Sequence, residues 1–401
     1  MSRKRPIATS EPPIIASESP IITSESPIIT SKLPIITSKS PIIASKSPII
    51  TAKASVITLN HDISSPNLIF ASMGPSADPL AGVAGFKRLR YRIEYWALEW
   101  VAWFIPKLPY AAIEQLAHEL GGLAYAVDAR GRTNALENLR AAFGDEYTPD
   151  ERERIARDSY RNFARTMLSL FWSPNLINGG WKKVLRIDGL DDDTCHRDPT
   201  EPAIYFCAHF GNFEWLSHAS AFAITTGPII FQQFKNPLLG PVFSRLRATS
   251  GHEIIPQERV LIRMLKVLKA GGKFGALTDL SLDPKHSTVA IRCFGLWTSS
   301  SPILHALRDR TGAKLIPCEC VPQPDGTYAA RYLPAVKIPP DATAADITQL
   351  CWNEIERSIR ARPELWLWAY KQWRFKPSTG DTGRYPAYAN TAKRFDRLLR
   401  D

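Results

Sequence analysis

A chain of 401 residues, 44% of them hydrophobic and 10% aromatic, is long enough to bury one large core or two smaller ones. Its net charge of +11 favours polyanions: nucleic acid, anionic lipid headgroups or an acidic carrier. The cysteines (195, 207, 293, 318, 320 and 351) form no Cys-x-x-Cys pair and no Cys/His cluster with zinc spacing, which excludes a disulfide framework or zinc module and points to reduced thiols in a cytosolic setting.

Residues 1–72 carry a low-complexity repeat. Ser17-Glu18-Ser19-Pro20-Ile21-Ile22-Thr23 returns as Ser24-Glu25-Ser26-Pro27-Ile28-Ile29-Thr30 and again as Ser38-Lys39-Ser40-Pro41-Ile42-Ile43-Ala44. A proline in every unit denies the backbone a continuous helix and a sheet ladder, so this tail is expected to be disordered or extended. It lacks the single apolar core of a signal peptide. Either it is a flexible tether or Met73 is the true start.

Residues 73–110 change character. Lys87, Arg88, Arg90 and Arg92 lead into Ile93-Glu94-Tyr95-Trp96-Ala97-Leu98-Glu99-Trp100-Val101-Ala102-Trp103-Phe104-Ile105, closed by Pro106. Two glutamates interrupt the run, which falls short of the roughly 20 clean apolar residues of a spanning helix. Tryptophan, tyrosine and arginine favour the headgroup layer, so a helix lying in, or partly inserted into, a membrane surface is expected. The alternative is an ordinary amphipathic helix packed on the domain.

Helical patterns follow over 113–127, 132–143 and 150–172, with Pro149 placed for a helix start; 111–183 is therefore expected to be a helical region packed on the core. From Val184 strands and helices alternate. Strands fit 203–208, 228–232, 253–255, 274–278, 289–294, 314–321 and 327–333. Helices fit 213–224, 237–249, 258–270 and 302–310, with a closing helix over 344–362 stopped by Pro363. Pro322-Gln323-Pro324-Asp325-Gly326 signals a hairpin. The predicted fold class is α/β: a mostly parallel mixed sheet with an antiparallel edge, covered by helices over 184–378, preceded by the helical region and followed by a tail over 379–401.

Chemistry concentrates after the first of these strands. Ala203 to Ala208 is unbroken apolar sequence, as in a strand buried on both faces, and His209-Phe210-Gly211-Asn212-Phe213-Glu214 follows it. Gly211 permits a sharp turn and Asn212 is a good N-cap, so His209 and Glu214 should meet at a strand-to-helix corner at the carboxyl end of a strand, where open α/β sheets bind ligands. The Glu214 carboxylate is expected to reach the imidazole, fix its tautomer and stabilise the imidazolium while the other nitrogen takes a proton from a hydroxyl. The competing expectation is a histidine satisfied by backbone and a glutamate answering the helix dipole.

Asp279 closes the strand after Gly271-Gly272, at the same sheet edge, to position a backbone loop or a substrate hydroxyl, or as a simple turn residue. Lys235, Arg245 and Arg247 bracket the turn and helix after the second strand, as a phosphate-holding group or as a solvated basic face. Ser299-Ser300-Ser301-Pro302 fits a helix N-cap better than a nucleophile, since no Gly-x-Ser-x-Gly elbow surrounds it. There is no P-loop and no glycine-rich dinucleotide turn. Nucleic acid fits poorly, because the aromatics collect in the amphipathic helix and the core rather than among basic residues.

The His-x4-Glu box at His209 and Glu214 is accompanied, in order, by Asn138-Leu139-Arg140-Ala141-Ala142-Phe143, Lys235-Asn236-Pro237-Leu238 with Arg245-Leu246-Arg247, and Gly271-Gly272 through Thr278-Asp279. Cys293-Phe294-Gly295, Thr311-Gly312-Ala313 and Arg362-Pro363-Glu364-Leu365-Trp366-Leu367-Trp368 with Lys371-Gln372-Trp373-Arg374 complete the series. With these blocks, over roughly residues 86–377, the sequence resembles the bacterial lipid A late acyltransferases, the lauroyl/myristoyl transferase family. Gln232 stands where the family usually has arginine, and Leu280 where it has glutamine, at positions able to touch a substrate's phosphate or sugar.

The resemblance implies a glycerolipid acyltransferase-like fold and transfer of a fatty acyl chain from an acyl carrier protein thioester to a hydroxyl of a lipid A precursor. His209 would be the general base oriented by Glu214, with Asn212, Lys235, Arg245, Arg247 and Asp279 toward substrate. The scheme calls for no metal, cofactor or covalent enzyme intermediate. The expected location is the cytoplasmic face of the cell's inner membrane, where a basic surface suits an acidic carrier, a phosphorylated glycolipid and anionic lipids. The alternatives are acylation of another glycolipid or a lysophospholipid from acyl-CoA, and lipid binding at the membrane without catalysis.

Overall fold

The computed structural model describes residues 78–191, 193–231, 234–256, 260–380 and 382–399. The repeat over 1–72, Met73 and Gln232 lie outside the described residues.

Helices come first: α1 (Gly85–Phe104), α2 (Tyr110–Val127), α3 (Ala129–Phe143) and α4 (Pro149–Trp172). Asp128 caps α3 by accepting from the Gly131 N–H. Thr148 and Glu151 close a capping box around Pro149 at the start of α4.

α1 has two faces. Tyr95, Leu98, Val101 and Ala102 pack on a buried cluster that includes Ile113, Leu168, Phe171 and Val242. On the other side Phe86, Leu89, Ile93, Trp96, Trp100 and Trp103 recur in alternating three- and four-residue steps, which places them in one stripe. All six are exposed, from 56% at Leu89 to 84% at Phe86. The two glutamates that break the apolar run turn toward the protein: Glu94 accepts from Asn236 Nδ2 at 2.9 Å, and Glu99 pairs with Arg245 at 2.7 Å. Among the described residues no helix is long and apolar enough to cross a membrane.

The α/β part runs β1 (Leu185–Asp188), β2 (Ala203–Cys207), α5 (Phe213–Ala223), β3 (Pro228–Phe231), α6 (Leu239–Arg247), β4 (Glu253–Pro256), α7 (Val260–Lys269) and β5 (Lys273–Leu277). It continues as β6 (Val289–Cys293), β7 (Leu296–Ser300), α8 (Ile303–Thr311), β8 (Lys314–Pro322), β9 (Tyr328–Tyr332) and α9 (Ala344–Ala361). The main sheet has the order β1-β9-β8-β2-β5. β8, β2 and β5 are parallel; β9 returns antiparallel to β8 through the expected hairpin, and β1 lies parallel to β9. This is the mostly parallel, helix-covered mixed sheet that the sequence implied. β2 is buried on both faces: Ile204 and Phe206 enter one core cluster, Ala203 and Tyr205 the other.

β3 and β4 form a separate parallel pair, and β6 and β7 an antiparallel hairpin. Besides a two-residue parallel pair, Phe375–Lys376 with Asn390–Thr391, two strands differ from the sequence expectation. β1 is a four-residue edge strand, too short to stand out by pattern. β7 contains Ser299 and Ser300, expected in a helix cap; instead the Ser299 hydroxyl donates to the Leu282 carbonyl and Thr298 to that of Gln372, so the strand's polar groups are paired inside the protein. The segment expected as a carboxyl-terminal tail packs on the core in its described part: Phe395 is buried, and Tyr388 donates to Asn138 Oδ1.

Candidate active site

The site grows from the register of two parallel strands. Cys207 of β2 is paired with Leu277 of β5. Two residues further on, β2 delivers His209 and β5 delivers Asp279, side by side at the carboxyl edge of the sheet. The Asp279 carboxylate takes both donors of that histidine: Nδ1 lies 2.8 Å from Oδ1, and the His209 backbone N–H donates to Oδ2 at 3.1 Å. A carboxylate on Nδ1 leaves the hydrogen there and Nε2 as the lone-pair nitrogen. Nε2 makes no hydrogen bond to any described residue. The Phe213 ring meets the imidazole edge-on at 5.1 Å.

Burial works against charging His209, but the Asp279 charge and hydrogen bond outweigh it and hold the imidazole above its ordinary value. Burial would push Asp279 up; the charge and hydrogen bonds of His209, with a further one from Trp366, hold it below the usual carboxylate range. His218, one turn after Glu214 on α5, is the contrast. Burial, and the charges of His252 and Arg247, push it down to about 3, and its Nδ1 bonds Ser250 Oγ at 2.8 Å. It stays neutral and structural.

The turn after His209 is fixed on three sides. Gly211 has φ +57, and a Cβ there would lie 2.1 Å from the Cys320 carbonyl oxygen, so only glycine fits. Asn212 donates its backbone N–H to that same oxygen at 2.7 Å, while its side-chain Oδ1 caps α5 by accepting from Trp215 N–H. From α4, Asn162 and Thr166 donate to the Gly211 carbonyl, and Ser159 donates to that of Trp366 at 2.5 Å. The segment 365–367 runs antiparallel to the turn: Gly211 N–H donates to Leu365, and Leu367 N–H to His209.

Glu214 does not occupy the position expected of it. The imidazole's hydrogen bond goes to Asp279, and Glu214 faces Arg247, whose Nη2 and Nε donate to its two oxygens at 2.5 and 3.0 Å. The reason is geometric. Glu214 lies in the first turn of α5, where its charge answers the helix dipole, and Arg247 lies in the last turn of α6, where a cation does the same. Burial disfavours the Arg247 cation, but Glu214 outweighs this and holds it above its ordinary value. Both charges act on His209 through space: Glu214 favours the imidazolium and Arg247 opposes it.

The remaining sequence candidates separate. Asn212 is buried in the turn. Arg245 points to α1, not to the imidazole, and is bidentate with Glu99. Lys235 is exposed on the turn before α6. Two of the three basic candidates are thus paired with carboxylates of the protein. Trp366 and the polar stripe Ser159, Asn162 and Thr166 were not singled out by sequence as site residues. The three- and four-residue spacing of that stripe, inside an otherwise charged or apolar helix, was the available signal.

Comparison with curated proteins gives no significant match. The ordered elements from α1 to the segment after Trp366 are the span that a family model recognises: the model for bacterial lipid A biosynthesis acyltransferase matches residues 84–375, and the chain belongs to that family.

Proposed function

We propose that the protein transfers a fatty acyl chain from an acyl carrier protein thioester to a hydroxyl of a lipid A precursor, at an anionic membrane surface. In this scheme His209 Nε2 takes the proton of the acceptor hydroxyl as its oxygen attacks the thioester carbonyl. The new C–O ester bond forms, the C–S bond breaks, and the proton passes from the imidazolium to the departing thiolate. Asp279 fixes the tautomer and stabilises the imidazolium, the task first expected of Glu214. Glu214 and Arg247 set the charge around the imidazole. The observation that carries the reading is the 2.8 Å contact of His209 Nδ1 with a buried carboxylate, which leaves Nε2 available.

Membrane association is supported by the exposed stripe on α1, with Lys87, Arg90 and Arg92 exposed at its amino end to meet anionic headgroups, while Arg88 is held by Asp78 and the Leu80 carbonyl. The helix lies on the surface in this scheme, its glutamates held by the protein side.

Leu280, 38% exposed next to Asp279, favours a second reading in which the acceptor is a less polar glycolipid or a lysophospholipid and the donor acyl-CoA. One assay separates these. The enzyme is incubated with labelled acyl carrier protein or acyl-CoA and with a lipid A precursor or lysophospholipid, and products are identified by mass. Ester formation from the carrier protein onto the lipid A precursor is expected. Product only from acyl-CoA and lysophospholipid selects the second reading. Transfer that survives His209→Ala would sink both.

A further inference from the structure

Asp279 is 3% exposed, and a carboxylate so buried keeps its charge only if its oxygens are supplied with donors. Oδ1 has the imidazole. Oδ2 has the His209 backbone N–H at 3.1 Å and, closer, the indole Nε1–H of Trp366 at 2.8 Å. An indole can only donate, so this bond has one sense. The ring that supplies it is held on every side. Trp366 is 3% exposed and packs against Trp368 at 4.6 Å, Phe294 at 6.0 Å and Trp352 at 6.2 Å. Its backbone is bridged to Phe210, the residue after the base, and its carbonyl is held by Ser159.

We propose that Trp366 is a positioning residue of the His209–Asp279 pair: its indole N–H pins Oδ2, so that the carboxylate cannot turn about its own axis and Oδ1 stays on the imidazole. The role deepens, and rests on, the acyl transfer proposed above. Trp366 touches neither substrate nor the reacting nitrogen; it acts through Asp279. A donor to one oxygen fixes the plane of the carboxylate, and with it the orientation of the imidazole. Without the indole, Oδ2 keeps one backbone donor and the pair samples orientations in which Nε2 is misdirected.

The test is Trp366→Phe in the full chain, which keeps an apolar ring and deletes the donor. It is assayed with acyl thioester and lipid A precursor beside the native protein, His209→Ala, Asp279→Asn and the double variant. Loss of a hydrogen bond to a charged group should lower kcat on the order of tenfold, with KM for both substrates unchanged. In the Asp279→Asn background the same change should cost nothing further, since the effect runs through that carboxylate. An equal loss in both backgrounds, or a rise in KM alone, means that Trp366 only supports packing and overturns the proposal, as does an unchanged kcat. If Trp366→Phe fails to fold, benzothienylalanine at this position preserves the bicyclic shape with sulfur in place of N–H, and the same outcomes apply. Full activity in His209→Ala overturns the acyl-transfer reading itself. Inactive His209→Ala beside a fully active Trp366→Phe overturns only the role of Trp366.

Discussion

Arg247 grips Glu214 through two hydrogen bonds, at 2.5 and 3.0 Å, across the carboxyl end of one helix and the amino end of another. The pair is largely enclosed: the side chains are 21% and 6% exposed. Removing the carboxylate takes this bidentate partner from the Arg247 guanidinium in a largely enclosed site. Glu214→Ala should therefore lower stability by about 2 to 3 kcal/mol, below the full cost of breaking a buried pair because Arg247 retains some water contact. Glu214→Gln keeps one acceptor oxygen for the guanidinium while losing the charge, and should cost less than alanine. Urea unfolding of both variants checks this. Equal stability of Glu214→Ala and the native protein would show that the pair carries no such load. The practical consequence is that lost activity in Glu214→Ala is evidence of catalysis only after the folded fraction has been measured.

The second prediction concerns pH. A general base must be neutral, so kcat/KM should rise with pH through the folded pKa of His209, which Asp279 holds above the ordinary histidine value of about 6.5. Asp279→Asn removes the opposing charge and leaves burial in control, so the acid limb should move to lower pH. Its kcat should fall on the order of 10⁴-fold through loss of the tautomer. An unmoved limb would mean that His209 is not the group titrating in the profile.

Stability follows from the same shifts. The raised pKa of His209 contributes stability that is fully present below about pH 6.5 and lost as pH rises through the folded value. The lowered pKa of Asp279 contributes stability present above about pH 3.9 and lost as pH falls through its folded value. The pair therefore stabilises most between those limits. The melting temperature of the native protein minus that of Asp279→Asn should be largest near pH 5 and shrink in both directions, as read by thermal melts across pH.

Much of this corner was legible in the chain because its determinants are local. An apolar run, then Gly211 and Asn212, specify strand, turn and helix without reference to distant residues. Partners were not legible where they depend on register. Asp279 is 70 residues from His209, and only the pairing of β2 with β5 brings the two together. The sheet edge was foreseen but not which carboxylate would win the imidazole. Helical phase, by contrast, carries information within the sequence itself. Glu94 and Glu99 fall off the stripe formed by Ile93, Trp96, Trp100 and Trp103, which already told that they face the protein. The folded carboxyl end gave little warning, because its one strand, Asn390–Thr391, is two residues long and its buried side chains Tyr385, Ala389 and Phe395 are few and widely spaced.

A fourth prediction tests the turn. Gly211→Ala forces a Cβ against the Cys320 carbonyl in a left-handed backbone region that alanine avoids. The cost should be about 2 to 4 kcal/mol, since both strain and clash apply. The same carbonyl accepts from Asn212, so the shift also moves the N-cap of α5. Denaturant unfolding gives the stability term. A variant that folds with native stability would mean the turn relaxes freely, and the tight placement of His209 would then need another source.

The last prediction separates the two faces of α1. Trp96, Trp100 and Trp103 are 64%, 58% and 59% exposed, so replacing them by serine removes little native packing and should leave the melting temperature almost unchanged. If the stripe enters a lipid surface, each replacement withdraws an aromatic anchor and should weaken binding to vesicles on the order of tenfold. Neutralising the exposed Lys87, Arg90 and Arg92 should act differently, lowering affinity for anionic vesicles at low salt and much less for neutral ones. Glu99→Ala works from the opposite face. It frees Arg245 and loosens α1 from α6, so it should lower stability while leaving the apolar stripe intact. Sedimentation with vesicles of defined composition, run beside thermal melts, distinguishes the three patterns. Vesicle binding that survives the triple tryptophan replacement would remove α1 as the docking element and leave the exposed stripe to some other partner.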